Sequence, residues 1–137
     1  MSITVYMAII YPTPEKVIEY NLLALTVIKA KKSDQPKVLS EGAIESTIKE
    51  CKELEGDIYG KAICLLRGLI QRHPFASGNR RTAFIVVKEF LLKNNAVFKV
   101  KDDPSYARVM QGIRENFYKE EEIKEWLKNG KIKEFRR

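Results

Sequence analysis

The stretch IYGKAICLLRGLIQRHPFASGNRRTAFIVVKEFLLKN, residues 58–94, holds two apolar helical patterns separated by a short break bearing proline and glycine. In its first half Ile58, Ala62, Leu65, Leu66, Leu69 and Ile70 recur at the three- and four-residue intervals of a helix face. They cover much of the circumference, which marks a helix buried on several sides. From about Asn79 to Asn94 the pattern repeats with Ala83, Phe84, Val86, Val87, Phe90 and Leu91. Two helices this apolar need others to cover them.

The flanks supply the cover. Upstream, Gly56-Asp57 breaks the chain, and a helix from about Glu41 to Leu54 carries Ile44, Ile48 and Cys51 on one face. Lys32–Leu39 is polar, contains Pro36 and reads as a loop. Thr13-Pro14-Glu15 is a helix start: a hydroxyl cap, a proline at the first helical position and an acid near the positive dipole end. Val17, Ile18, Leu22, Leu25 and Ile28 continue that helix to about Lys31. Ile3–Tyr11 is β-rich, an edge strand or a lead-in to the helix. Downstream, Asn94-Asn95 ends the second apolar helix and Val97–Val100 suggests a short strand. Asp103-Pro104 caps a helix running through Met110 and Ile113, and Glu120–Leu127 forms the last, anchored by Trp126. The expectation is an all-α fold over residues 1–137: a single compact domain of about six to seven helices with at most one or two short strands.

The 137 residues are 45% hydrophobic and 31% charged, the balance of a globular protein and not of a disordered tail. No apolar run is long enough to span a bilayer and no basic leader precedes one, so a cytoplasmic protein without a membrane partner is expected. Cys51 and Cys64 lack metal-binding spacing and read as small core residues. The net charge of +7 invites a nucleic-acid reading. However, the basic residues are interspersed with acids except in the tail Lys131–Arg137, so a solvated surface is favoured over a nucleic-acid site.

The break between the two apolar helices is His73-Pro74-Phe75-Ala76-Ser77-Gly78-Asn79-Arg80-Arg81. His73 is the sole histidine of the chain, so imidazole proton chemistry near neutral pH rests on it. Pro74 stiffens the turn, Phe75 can drop into the core, and Gly78 lets backbone pass close to a ligand. The first amides of the following helix point outward as an anion site, with Arg80 and Arg81 beside them. The residues alone leave two readings: a base beside a polyphosphate cradle, or a capped interhelical turn with an exposed histidine and solvated arginines.

Residues His73–Arg81 resemble the Fic/Doc (Fido) signature, His-Pro-Phe-x-acid-Gly-Asn-x-Arg. The likeness continues through Arg81-Thr82-Ala83 to Leu91-Leu92-Lys93-Asn94-Asn95, where it is similar to the death-on-curing (Doc) toxin branch. Weaker echoes lie in Glu41-Gly42-Ala43-Ile44-Glu45-Ser46 and in Ile123–Leu127. The resemblance implies a transferase that takes AMP, or in the Doc branch the terminal phosphate, from ATP to a hydroxyl of a target protein. It makes His73 the general base, puts Gly78 and Asn79 in the phosphate nest, has Arg81 hold the distal phosphates and leaves Phe75 supporting the loop. Arg80 stands where AMP-transferring members have glycine and Doc-type toxins lysine. A separate antitoxin protein is the partner that the Doc branch implies.

Two positions depart from the pattern. Ser77 occupies the family's acidic metal-ligand position, and a neutral hydroxyl is a poor ligand for a hard dication. No metal ligand is therefore assigned, and Mg2+ arriving with the ATP phosphates stays open, Arg80 supplying part of the missing charge. Phe84 replaces an arginine common in AMP-transferring members, as Doc-like members also do. Cys51–Gly56 comes nearest to the family's inhibitory glutamate motif but lacks its hydroxyl residue, and reads as chance. The alternative to an enzyme is a degenerate Fic/Doc-fold module that binds a nucleotide or a partner.

Overall fold

The computed structural model describes residues 8–28 and 36–136. Six α-helices lie among them: α1 (Pro14–Ile28), α2 (Glu41–Glu53), α3 (Ile58–Arg72), α4 (Asn79–Lys93), α5 (Ser105–Arg114) and α6 (Glu120–Asn129). Side-chain caps set several of the starts by satisfying first-turn amides. Thr13 Oγ1 accepts from Lys16 N at 3.1 Å, Ser40 Oγ from Ala43 N at 3.1 Å and Asp57 Oδ1 from Gly60 N at 2.8 Å. Before α5, Asp103 Oδ1 accepts from Ser105 N at 2.9 Å, which does the work expected of the Asp103-Pro104 pair.

α3 is the hub, packed against α2, α4, α5 and α6, while α1 lies across α4 and α2. The apolar residues of the quoted stretch account for this: Ala62, Leu65, Leu66, Leu69 and Ile70 of α3 meet Ala83, Val86, Val87 and Leu91 of α4 in one buried core. Burying each of the Leu, Ile and Val side chains contributes about 1.5–3 kcal/mol, an upper estimate. Where α2 crosses α3, a Cβ on Gly68 would stand 2.4 Å from Cγ2 of Thr47, so only glycine permits that approach. Lys61 is buried, and its ammonium donates to the carbonyls of Cys51 at 3.0 Å and Leu54 at 2.7 Å. It thereby satisfies the otherwise open, partially negative C-terminal end of α2.

Several sequence expectations change. Residues 3–7 of the β-rich stretch Ile3–Tyr11, and residues 29–35 around the expected end of the first helix, lie outside the described residues; 8–11 form no strand. Val97–Val100 is no strand either. It is tied instead to two helices, through Tyr59 Oη donating to Val97 O at 2.6 Å and Lys99 N donating to Leu127 O at 2.9 Å. Among the described residues the only β pairing is an isolated antiparallel bridge between Val38 and Phe75. Leu22, read as facing inward, is 47% exposed, because α1 turns Val17, Ala24 and Asn21 to the core instead. The basic tail folds back onto the body: Phe135 is buried, Arg108 donates to its carbonyl at 3.1 Å, and Lys133 pairs with Glu122. Cys51 is buried, which pushes its thiol up to about 12, and Cys64 is half-buried. Among the described residues no helix is long and apolar enough to cross a membrane.

Candidate active site

α3 ends at His73, whose φ of 50° and ψ of 59° are left-handed, the conformation that turns a chain sharply off a helix end. A non-glycine residue there carries a strain of about 1–2 kcal/mol. The turn that follows is tied down on three sides. Pro74 O accepts from Leu39 N at 2.8 Å and Ser40 N at 3.1 Å, and Ala76 N donates to Lys37 O at 2.9 Å. Phe75 is 1% exposed and sits in the core. The Asn79 side chain clasps its backbone from α4, accepting from Phe75 N at 3.0 Å and donating to Phe75 O at 2.8 Å. From α1, buried Asn21 donates through Nδ2 to Ser77 O at 2.9 Å and to Thr82 Oγ1 at 3.0 Å.

Gly78 opens α4 with a φ of 78° and no side-chain cap. A Cβ there would meet Leu25 Cδ2 at 3.2 Å and Asn21 Nδ2 at 3.3 Å, so sterics and backbone both favour glycine. The first-turn amides of α4 consequently have no acceptor within the helix.

A cavity of about 460 Å³ lies over this helix end. His73, Ser77, Gly78, Asn79, Arg80 and Arg81 line it from the loop, and Tyr106, Ala107 and Arg114 line it from α5. The sole histidine, the uncapped start of α4 and three arginines therefore line one space. His73 and Arg80 are exposed. The side chain of Asn79 is committed to Phe75, so what this residue can offer a ligand is its backbone amide.

Arg81 is already engaged. Its terminal nitrogens form a two-point ion pair with the carboxylate of Asp102, one arm at 3.0 Å, and it donates to Tyr106 Oη at 3.3 Å. Its guanidinium also lies 5.4 Å from the centre of the Phe84 ring, which stacks on Tyr106 at 4.4 Å. The hydrogen bond to Asp102 holds Arg81 more firmly in its charged form, burial opposes this, and Tyr106 adds to it. Reciprocally, Arg81 holds the Asp102 carboxyl below the usual carboxylate range. Arg81 Nε is buried and has no hydrogen-bond partner among the described residues.

A magnesium ion fits these residues poorly. No Asp or Glu is among the described residues lining the cavity, and the nearby carboxylate of Asp102 is taken by Arg81. Nor do the described residues contain a group of three or more His, Cys, Asp or Glu placed to hold a metal. Ser77 contributes a hydroxyl where a hard dication needs carboxylate.

Four contributors were missed by sequence reasoning. Asn21 left a faint signal, an amide inside the apolar stripe of α1. Tyr106, Asp102 and Arg114 left none, since only the packing of α5 brings them to the loop.

The sequence model of the Fic/DOC family matches residues 11–91, more than half of the chain, from the lead-in to α1 almost to the end of α4. No curated protein matches the chain at a significant level of similarity.

Proposed function

Because the chain belongs to the Fic/DOC family, we propose that it is a nucleotide-dependent transferase placing a phosphoryl or AMP group from ATP on a hydroxyl side chain of a target protein. The observation that carries this reading is that His73, the open helix end and the arginines border one cavity.

In the proposed reaction the ATP phosphates lie over the first-turn amides of α4, with Arg80 and Arg81 beside them. Gly78 leaves the chain room to sit close to the backbone. The target hydroxyl approaches His73, whose imidazole takes its proton as the oxygen attacks phosphorus. Attack at the γ-phosphorus breaks its bond to the bridging oxygen and releases ADP. Attack at the α-phosphorus transfers AMP and releases diphosphate. In both cases the guanidinium groups offset charge gathering on the leaving phosphates. Arg80, a cation at the position where Doc-type toxins carry lysine, favours the Doc-like phosphoryl transfer. A cytoplasmic setting and a separate antitoxin protein belong to this same reading.

A second reading is a module that binds a nucleotide or a partner without catalysis, and Ser77 together with the Asp102 clamp on Arg81 favours it. Incubation with a cell lysate and ATP labelled at the α or the γ phosphate separates the two. Transfer of label identifies the group moved; its absence from every protein leaves the binding module. Label transfer that survives His73→Ala would remove the histidine from the base role.

A further inference from the structure

Resting on the nucleotide reading above, we propose that the cavity takes its nucleotide as the free polyphosphate without an accompanying divalent cation, Arg114 of α5 and Arg80 supplying the charge that a metal would bring. The cavity's donor set points this way. Ser77 carries a hydroxyl, no carboxylate is among the described lining residues, and three arginines line the space. A dication entering there would meet like charge before it met a ligand. An ionised phosphate chain meets the opposite: fixed cations, outward amides and the positive end of a helix.

Arg114 is the component that nothing in the loop announces. Ala107 and Arg114 are seven residues apart on α5, close to two full turns, and so share the face that borders the cavity. Ala107 is small and leaves the space before Arg114 open. Among the described residues neither Arg80 nor Arg114 has a hydrogen-bond or ion-pair partner, whereas Arg81 is held by Asp102. The two uncommitted arginines thus come from different elements, one at the start of α4 and one at the end of α5. A chain of phosphates in the cavity would be gripped from both elements. The plainer role for Arg114, a solvated cation offsetting the negative end of α5, predicts no dependence on ligand or metal.

Calorimetry of the full chain with ATP, in EDTA and in excess Mg2+, tests the inference. ATP is expected to bind in EDTA at least as tightly as with Mg2+. Arg114→Ala should weaken binding of ATP in EDTA about ten-fold, the worth of one charge-assisted contact. AMP, which lacks the distal phosphates, should lose much less, and Arg114→Lys should restore part of the ATP affinity. Ser77→Asp should reverse the preference, so that Mg2+ strengthens binding. Arg114 is exposed, and an unchanged urea midpoint in Arg114→Ala would confirm that the loss is not one of folding. Binding of ATP that appears only when Mg2+ is present overturns this inference and leaves the nucleotide reading standing. An undiminished affinity in Arg114→Ala removes Arg114 from the site. Absence of ATP binding in both buffers overturns the inference and the nucleotide reading together.

Discussion

Asp102→Asn puts the arrangement around Arg81 to a quantitative test. Asparagine keeps the shape of the side chain and one acceptor oxygen for the guanidinium but removes the charge. The side chain of Asp102 is 46% exposed and that of Arg81 17%, so the pair lies at the margin between water and interior. A two-point pair of this kind belongs at the upper end of the range for solvent-accessible ion pairs, about 1 kcal/mol. That energy should appear twice, with opposite signs. Folding stability measured by urea unfolding should fall by about 1 kcal/mol. Affinity for ATP should rise by the same amount, about five-fold in Kd, because phosphate no longer has to displace a carboxylate from Arg81. Calorimetry at low and high salt provides the second reading, and the gain should shrink as salt rises. A variant that is less stable and also binds ATP more weakly would refute the reasoning. Asp102 would then be orienting Arg81 for the ligand, not competing with it.

Three further outcomes follow from the geometry. Gly78→Ala must adopt a left-handed backbone while pressing on Leu25 and Asn21, and urea unfolding should show a loss of at least about 1 kcal/mol; an unchanged midpoint would contradict the φ at this position. Asn79→Ala removes both partners of the Phe75 backbone, and two buried groups left unsatisfied should lower stability by at least about 2 kcal/mol, with a loss near zero showing that water replaces the amide. Asp57 is held low chiefly by Lys124 and then by Gly60 N, and Asp102 chiefly by Arg81. A depressed carboxyl stabilises the fold fully above its unfolded pKa of about 4 and loses that contribution as pH falls through the lower folded value. The melting temperature should therefore hold steady from neutral pH to about 5 and drop below about 4, less steeply in Asp57→Asn; a rise on acidification would contradict the assignment.

Much of this was legible because α3 and α4 are core helices, whose apolar residues repeat with little interruption, and because Gly78 marks where one stops and the next begins. Local caps such as Thr13 and Asp103 carry their own signature. The failures share one cause, which is that the determinant lies far along the chain. Val97–Val100 suggests a strand by its residue types, yet its hydrogen-bond partners are Tyr59 and Leu127. Leu22 keeps helical register with Ile18, but α1 instead turns Asn21 inward, where it reaches Ser77 and Thr82. Arg81 could be recognised as a cation; that Asp102, 21 residues later, would meet it could not.

The backbone pairing of residues 37–40 with Pro74 and Ala76 bears on how small a piece of this protein can work. Residues 73–81 are contiguous, so a peptide spanning α3 and α4 would contain every group of the signature. Such a fragment would lack the strip that pins the turn from outside, and the turn would be free to sample other shapes. The signature loop thus draws three backbone hydrogen bonds from outside the two helices that bear it, and the smallest piece expected to keep its shape includes residues 37–40.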